Sequence, residues 1–186
     1  SQTASNEKYM FIGTFHALAL RILKSIGNDI GFGQELKIWS KDYERLSVIE
    51  DIQKKENIEE YFETLESEDA KPAAVLAYID SVREELLDPE DASIRASEKG
   101  DKAELAYCEV YREYDQYLEE QDKLDFPRMV QMAVKALEHN AANGGSYLRK
   151  FKHVLVDEFQ DINAAQKCMI DYFVSANSHL WAVGDD

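Results

Sequence analysis

Apolar positions fall into short continuous runs near both ends of the chain and into stripes of helical spacing between them. The run YMFIG, residues 9–13, holds an aromatic and an isoleucine and ends in glycine, which predicts a strand. In TFHALALRILKSIG, Leu18, Ile22 and Ile26, joined by Leu23, repeat at helical spacing, with Lys24 in the last turn and Gly27 as the stop signal. A strand, a tight turn and a helix are expected there. Further on, Ser40 can cap KDYERLSVIEDIQ, whose Tyr43, Leu46, Ile49 and Ile52 form one narrow apolar stripe. Pro72 opens a second helix carrying Val75, Ile79, Val82 and Leu86. A third, AELAYCEVYREYDQYLEEQ, presents Leu105, Cys108, Tyr111, Tyr114 and Leu118, a tyrosine stripe that reads as core packing with wet hydroxyls. Between these two helices DPEDASIRASEKGD is polar and holds Pro89 and Gly100, so a mobile loop is expected.

The last third returns to mixed patterning. Asp125 can cap the helix of LDFPRMVQMAVKALEHN, with Pro127 in its first turn and Val130, Val134 and Leu137 inward. AANGGS is a loop, HVLV a strand, and AAQKCMIDYFV a helix with Cys168, Met169, Tyr172 and Phe173 inward. LWAVGDD is another apolar run, ending in Gly184, Asp185 and Asp186. The fold class expected is α/β and helix-rich, with a small three-stranded parallel sheet from residues 9–13, 154–157 and 180–183. Continuously apolar strands such as VLV belong to parallel sheets covered on both faces.

With 186 residues, 45% of them hydrophobic, the chain can bury a real core. No apolar run approaches the roughly 18 residues of a membrane span, and SQTASNEKYM lacks the regions of a signal peptide, so a soluble, cytoplasmic protein with no membrane partner is expected. Cys108 and Cys168 have neither pair spacing nor a neighbouring histidine and read as buried thiols of a reducing compartment. His139, His153 and His179 are scattered and receive no functional role.

The net charge of −16 is uneven: Ser40–Asp125 holds 27 acidic and 11 basic residues, while the flanks together hold 10 of each. A three-part organisation follows: a first flank, 1–39; an acidic all-helical insertion, 40–124; and a last flank, 125–186. The insertion should repel nucleic acid over most of its surface.

In VLVDEFQDINAAQ the apolar strand ends on adjacent carboxylates, Asp157 and Glu158, followed by Asp161. Ligands of open α/β sheets bind at the carboxyl ends of strands. Adjacent acids there are costly unless something positive binds, and a hydrated Mg²⁺ carrying a nucleotide phosphate is the usual occupant. The first acid would hold the metal and the second accept a proton from the attacking water. The plainer alternative is a surface loop in which Asp161 or Asn163 caps the next helix.

Four segments in order, IGTFHALALRIL, LDFPRMV, VLVDEFQDINAAQ and AVGDD, resemble the UvrD, Rep and PcrA group of superfamily 1 DNA helicases. The resemblance implies part of a RecA-like ATPase core interrupted by a helical insertion, ATP and Mg²⁺ as cofactors, and 3′ to 5′ movement on single-stranded DNA towards duplex junctions. It implies that Asp157 and Glu158 are the Walker B pair, Asp157 the Mg²⁺ ligand and Glu158 the catalytic base. Gln160, Asp161, Asp185 and Asp186 would lie near the nucleotide and couple it to neighbouring domains. Thr14, Phe15 and His16 match a motif that contacts single-stranded DNA, where a hydroxyl and an imidazole suit phosphate. Without the resemblance, His16 reads as a capping or core histidine. Asp125 and Phe126 match a minor motif of structural role.

No G-x-x-x-x-G-K-[ST] phosphate loop occurs between Ser1 and Asp186, so the chain is expected to be a piece of a longer helicase and inactive alone. The closing Gly-Asp-Asp favours this group over the RecB and AddA helicase–nuclease relatives, which usually have Gly-Asp-Pro there. That subunit type stays as one alternative. For the insertion, either Lys54, Lys55 and Arg95 form a local DNA-facing patch, or it is a protein-interaction or autoregulatory module, or a plain solvated acidic surface.

Overall fold

The computed structural model describes residues 10–33 and 35–185. In order, its elements are α1 (Phe15–Ile26), β1 (Lys37–Trp39), α2 (Asp42–Gln53), α3 (Glu56–Phe62), α4 (Pro72–Glu84), α5 (Pro89–Lys99), α6 (Lys102–Glu120), β2 (Lys123–Asp125), α7 (Phe126–Ala142), β3 (His153–Val156), α8 (Ala164–Ser175) and β4 (His179–Ala182). The chain divides into two compact units, Ser1–Leu36 with Arg128–Asp186, and Lys37–Pro127.

The second unit contains the acidic stretch Ser40–Asp125. Its core gathers Ile49, Val75, Ile79, Val82, Tyr111 and Leu118, the stripes expected of α2, α4 and α6. The α2 stripe is rotated from expectation: Tyr43 is exposed, and buried Arg45 lies on the inward face with Ile49 and Ile52. Ser40 is not the cap, since Lys41 precedes the helix and makes no side-chain cap. The segment expected to be a mobile loop is helix α5. Asp88 Oδ1 accepts from the Glu90 and Asp91 amides at 3.0 and 2.9 Å, Pro89 occupies the first turn, and left-handed Gly100 (φ 69°) ends the helix. Its buried face is only Ala92 and Ala96, an i,i+4 pair too small to register as an apolar stripe.

β1 and β2 pair in parallel, Ile38 opposite Leu124 and Trp39 opposite Asp125, and so tie together the two ends of the insertion. Beside them lies a buried ion network. Arg83, fully buried, donates to both Asp125 carboxylate oxygens at 3.0 and 2.9 Å and to Asp115 at 2.8 Å. Arg45 reaches Asp80 and Asp125, and the Tyr114 hydroxyl donates to Asp125 at 2.9 Å. Burial disfavours the charge on Arg83, but Asp125, Tyr111 and Asp115 more than reverse it, so its pKa lies above that of a free arginine. Burial raises Asp80 above the usual carboxylate range, with Arg45 opposing it. Asp125 therefore serves a structural purpose through its carboxylate at the end of β2.

In the first unit β3 and β4 pair in parallel, His153 opposite His179 through Val156 opposite Ala182. Tyr147 and Phe151 meet tilted at a ring distance of 5.4 Å, Phe151 and Phe173 edge-on at 5.3 Å, and Ile22, Leu23, Val130, Leu137, Met169 and Ile170 are buried. Cys108 is buried as expected, whereas Cys168 is only half-buried. Among the described residues the expected three-stranded sheet is replaced by two separate two-stranded sheets. Met10–Gly13 lies outside any strand, and Tyr9 lies outside the described residues. Instead of entering a ladder, the Met10 carbonyl accepts from Arg21 Nη1 at 3.3 Å. Leu155 and Trp181 are 77% and 62% exposed, so the described residues do not cover both faces of the β3–β4 pair. Among the described residues no helix is long and apolar enough to cross a membrane.

Candidate functional site

The carboxyl end of β3 is where the chain turns sharply. Asp157 follows the strand, exposed, and its Oδ1 accepts from the Glu158 amide at 3.1 Å. Glu158 takes a left-handed conformation, φ 50° and ψ 46°, which a residue with a Cβ adopts at a cost of about 1–2 kcal/mol. That geometry throws its side chain out of the strand direction and starts a 3₁₀ turn, Phe159–Asp161. The turn is fastened to the neighbouring strand: the Phe159 amide donates to the Val183 carbonyl, and the Val183 amide to the Val156 carbonyl, each at 2.9 Å.

Gln160 Nε2 donates to Glu158 Oε2 at 2.6 Å and to Asp161 Oδ2 at 3.3 Å, and its Oε1 accepts from the Asp185 amide at 3.2 Å. The cap of α8 falls to Asn163 rather than Asp161, in a reciprocal box with Gln166. Asp157, Glu158, Gln160, Asp161 and Asp185 therefore lie around the adjoining ends of two parallel strands, and Asp186 lies outside the described residues.

Thr14 is the N-cap of α1, its Oγ1 accepting from the Ala17 amide at 3.2 Å. Phe15 is half-buried and His16 exposed in the first turn, where the helix dipole favours an anion. Thr14, Phe15 and His16 line the same cavity, about 1020 Å³, as Asp157, Glu158 and Asp161. Two motifs separated by more than half the chain thus face one concavity of the first unit. Its remaining lining is largely apolar, Phe11, Val154 and Ile170 among it.

The donor set suits one kind of cation. Among the described residues no group of three or more His, Cys, Asp or Glu is placed to hold a metal ion. A zinc or calcium cage is not formed by them. Mg²⁺ bound with a nucleotide needs only one or two carboxylates, the other positions being water and phosphate oxygen, and exposed Asp157 beside Glu158 fits that demand.

Two features, one at this site and one in the second unit, escape sequence reading. A Cβ added at Gly184 would overlap the end of the Gln160 side chain, a contact that no local pattern announces. The three basic residues considered as a DNA-facing patch are all paired with acids: Lys54 with Glu50, Lys55 with Glu113, and Arg95 with Glu85.

A helix-rich α/β chain with an acid pair at the adjoining ends of parallel strands, interrupted by a helical unit, is the class that fold and site define. The chain belongs to the UvrD/REP helicase N-terminal domain family, which residues 2–186 match. It is 30% identical over 176 residues to the ATP-dependent DNA helicase PcrA of Bacillus subtilis strain 168, covering 95% of this chain and 22% of that protein. The proteins of the same name from Staphylococcus epidermidis RP62A and Staphylococcus aureus NCTC 8325 are each 29% identical over 176 residues, covering 95% of this chain and 23% of theirs. The chain thus spans less than a quarter of the length of these curated relatives.

Proposed function

We propose that this chain is the Walker B portion of the first RecA-like domain of an ATP-dependent DNA helicase, moving 3′ to 5′ on single-stranded DNA. Residues 1–39 and 125–186 belong to the motor core and 40–124 to an inserted helical subdomain. The observation that carries the reading is the acid pair, exposed at the end of β3, with Glu158 bonded through Gln160 to the segment after β4.

Asp157 would hold Mg²⁺ and Glu158 would act as base. ATP with Mg²⁺ supplies the γ-phosphate electrophile and the positive charge that the acids meet. Gln160 occupies Glu158 Oε2, which leaves Oε1 to accept a proton from water. Gln160, Asp161, Asp185 and Asp186 surround that group as nucleotide-side and coupling residues. The start of α1, with Thr14, Phe15 and His16, offers hydroxyl, ring and imidazole to the backbone and bases of single-stranded DNA. This chain has no phosphate-loop motif of its own, so turnover requires one supplied by a longer protein.

The test is Glu158→Gln in a longer protein that carries the phosphate loop. Turnover should fall about 10²- to 10⁴-fold while nucleotide binding persists. Unchanged turnover would remove Glu158 as the base.

For the insertion, pairing of Lys54, Lys55 and Arg95 with acids favours a protein-facing surface over a DNA-facing one. Residues 37–127 should then show no binding in a titration with single-stranded DNA at low salt, where phosphate contacts are strongest. Salt-sensitive binding there would restore the DNA-facing reading.

A further inference from the structure

Gln160 is engaged at both ends of its amide, and the two ends belong to different parts of the first unit. Nε2 bonds Glu158 at 2.6 Å, within the turn after β3, while Oε1 takes the amide of Asp185, after β4, at 3.2 Å. The backbone of that second segment is already anchored by the bonds from Phe159 to Val183 and from Val183 to Val156. Gln160 extends the anchoring by two residues and connects it to a carboxylate.

Gly184 lies between those anchors. A Cβ built there would overlap Gln160 Oε1 and lie 3.2 Å from the Phe159 amide nitrogen. Its φ is not among the positive values of the chain, so the position does not call for glycine on conformational grounds. The absent side chain leaves the space that the Gln160 amide fills.

We propose that Gln160, seated over Gly184, is a positioning residue that couples the segment following β4 to the orientation of the Glu158 carboxylate. The inference rests on the reading of Glu158 as base. An exposed glutamate samples many rotamers. A donor held on Oε2 fixes which oxygen faces the cavity, and the donor is itself held by Asp185. Displacement of Gly184–Asp185 therefore carries the Gln160 amide with it and re-aims the base. A contact felt beyond β4 is transmitted to the water-activating group through one side chain.

The first arm uses the 186-residue chain without nucleotide, with amide hydrogen exchange read by NMR. Gln160→Ala and Gly184→Ala should each speed exchange at Asp185 about 3- to 10-fold after correction for intrinsic rates. The Val183 amide, bonded to Val156, should keep its rate in both and report that the sheet is intact. Glu158→Ala should also speed Asp185, and should lose that effect when combined with Gln160→Ala. Unchanged Asp185 exchange, equal acceleration at Val183, or an undiminished Glu158 effect without Gln160 would overturn the coupling.

The second arm measures ATP turnover in a longer protein carrying the phosphate loop. Gln160→Ala and Gly184→Ala should lower kcat about 10- to 100-fold, with KM for ATP held within about twofold. If Glu158→Gln abolishes turnover but both of these variants retain full kcat, the coupling fails and the base reading stands. If Glu158→Gln leaves turnover intact, the base reading fails, whatever the exchange data show.

Discussion

Removing Arg83 tests whether the ion network is what holds the insertion together. Arg83→Met keeps an unbranched stem of similar reach and deletes the guanidinium. The loss comprises two bonds to Asp125 at 3.0 and 2.9 Å and one to Asp115 at 2.8 Å, with Asp125 fully buried and Asp115 only partly exposed. Breaking a buried pair by removing one partner costs about 3–5 kcal/mol, because the charge left behind has no water to replace its partner. Here Asp125 retains Arg45 at 3.2 Å and the Tyr114 hydroxyl at 2.9 Å. The lower end, about 3 kcal/mol, is therefore expected, still a large part of the 5–15 kcal/mol typical of a domain.

The two tryptophans give a clean readout, since Trp39 lies buried in the second unit and Trp181 exposed in the first. In a Trp181→Phe background, urea denaturation followed by fluorescence reports the insertion through Trp39. Asp125→Asn should also destabilise, and the double variant should fall short of the sum by about 1–3 kcal/mol, because neither group is then left facing an absent partner. Lys54→Met, which breaks the exposed pair with Glu50, is the control and should leave the urea midpoint essentially unchanged. An Arg83→Met cost under about 1 kcal/mol, or additivity in the double variant, would show that the network satisfies itself without Arg83 and refute the argument.

Alkaline pH should destabilise the fold. Burial raises Tyr78 and Tyr114 above the ordinary tyrosine range, with Asp125 adding to the effect on Tyr114. Their contribution is complete below about pH 10 and is lost as pH rises, at up to about 1.4 kcal/mol per unit for each residue that ionises only when unfolded, less for partly exposed Tyr78. Urea midpoints that stay flat from about pH 9 to 11 would exclude it. At Glu158, φ 50° should invert the usual order of alanine and glycine: Glu158→Gly should be the more stable by up to about 1 kcal/mol, where an ordinary position favours alanine. Denaturation followed at Trp181 in a Trp39→Phe background measures the difference, and a more stable alanine variant would mean that the turn relaxes out of the left-handed region.

The large-residue stripes of α4, α6 and α7 were legible because each buries several branched or aromatic side chains at helical spacing. α5 was not, since its inward face is two alanines and its capping residues, Asp88, Pro89 and Gly100, also spell a loop. β1 and β2 are three residues each and pair across most of the insertion, so no local pattern marks them. The Arg45 position on the inward face of α2 could not be read either, because its acceptors, Asp80 and Asp125, come from distant elements. At the site, the acid pair at the strand end was visible as a pattern. The left-handed turn at Glu158 and the placement of Gln160 over Gly184 depend on β4 lying beside β3, which only the fold supplies.

Asp125 and Asp157 show how far the local pattern reaches. Asp125 ends the short strand β2 and Asp157 follows β3, and each is the first acid after an apolar residue. Asp125 is fully enclosed, with Arg83, Arg45 and Tyr114 supplying donors within the same unit, so its charge is neutralised on folding and is closed to a ligand. Asp157 and Glu158 are exposed, Glu158 on a backbone conformation that disfavours it, and among the described residues they are bonded by an amide and a glutamine side chain. Under the proposed reading, an acid that the fold uses for its own stability is enclosed with its donors, and one that meets a phosphate from outside is left exposed at a strand end. The distinction lies in where the buried donors go, and Arg45 and Arg83 both go to Asp125.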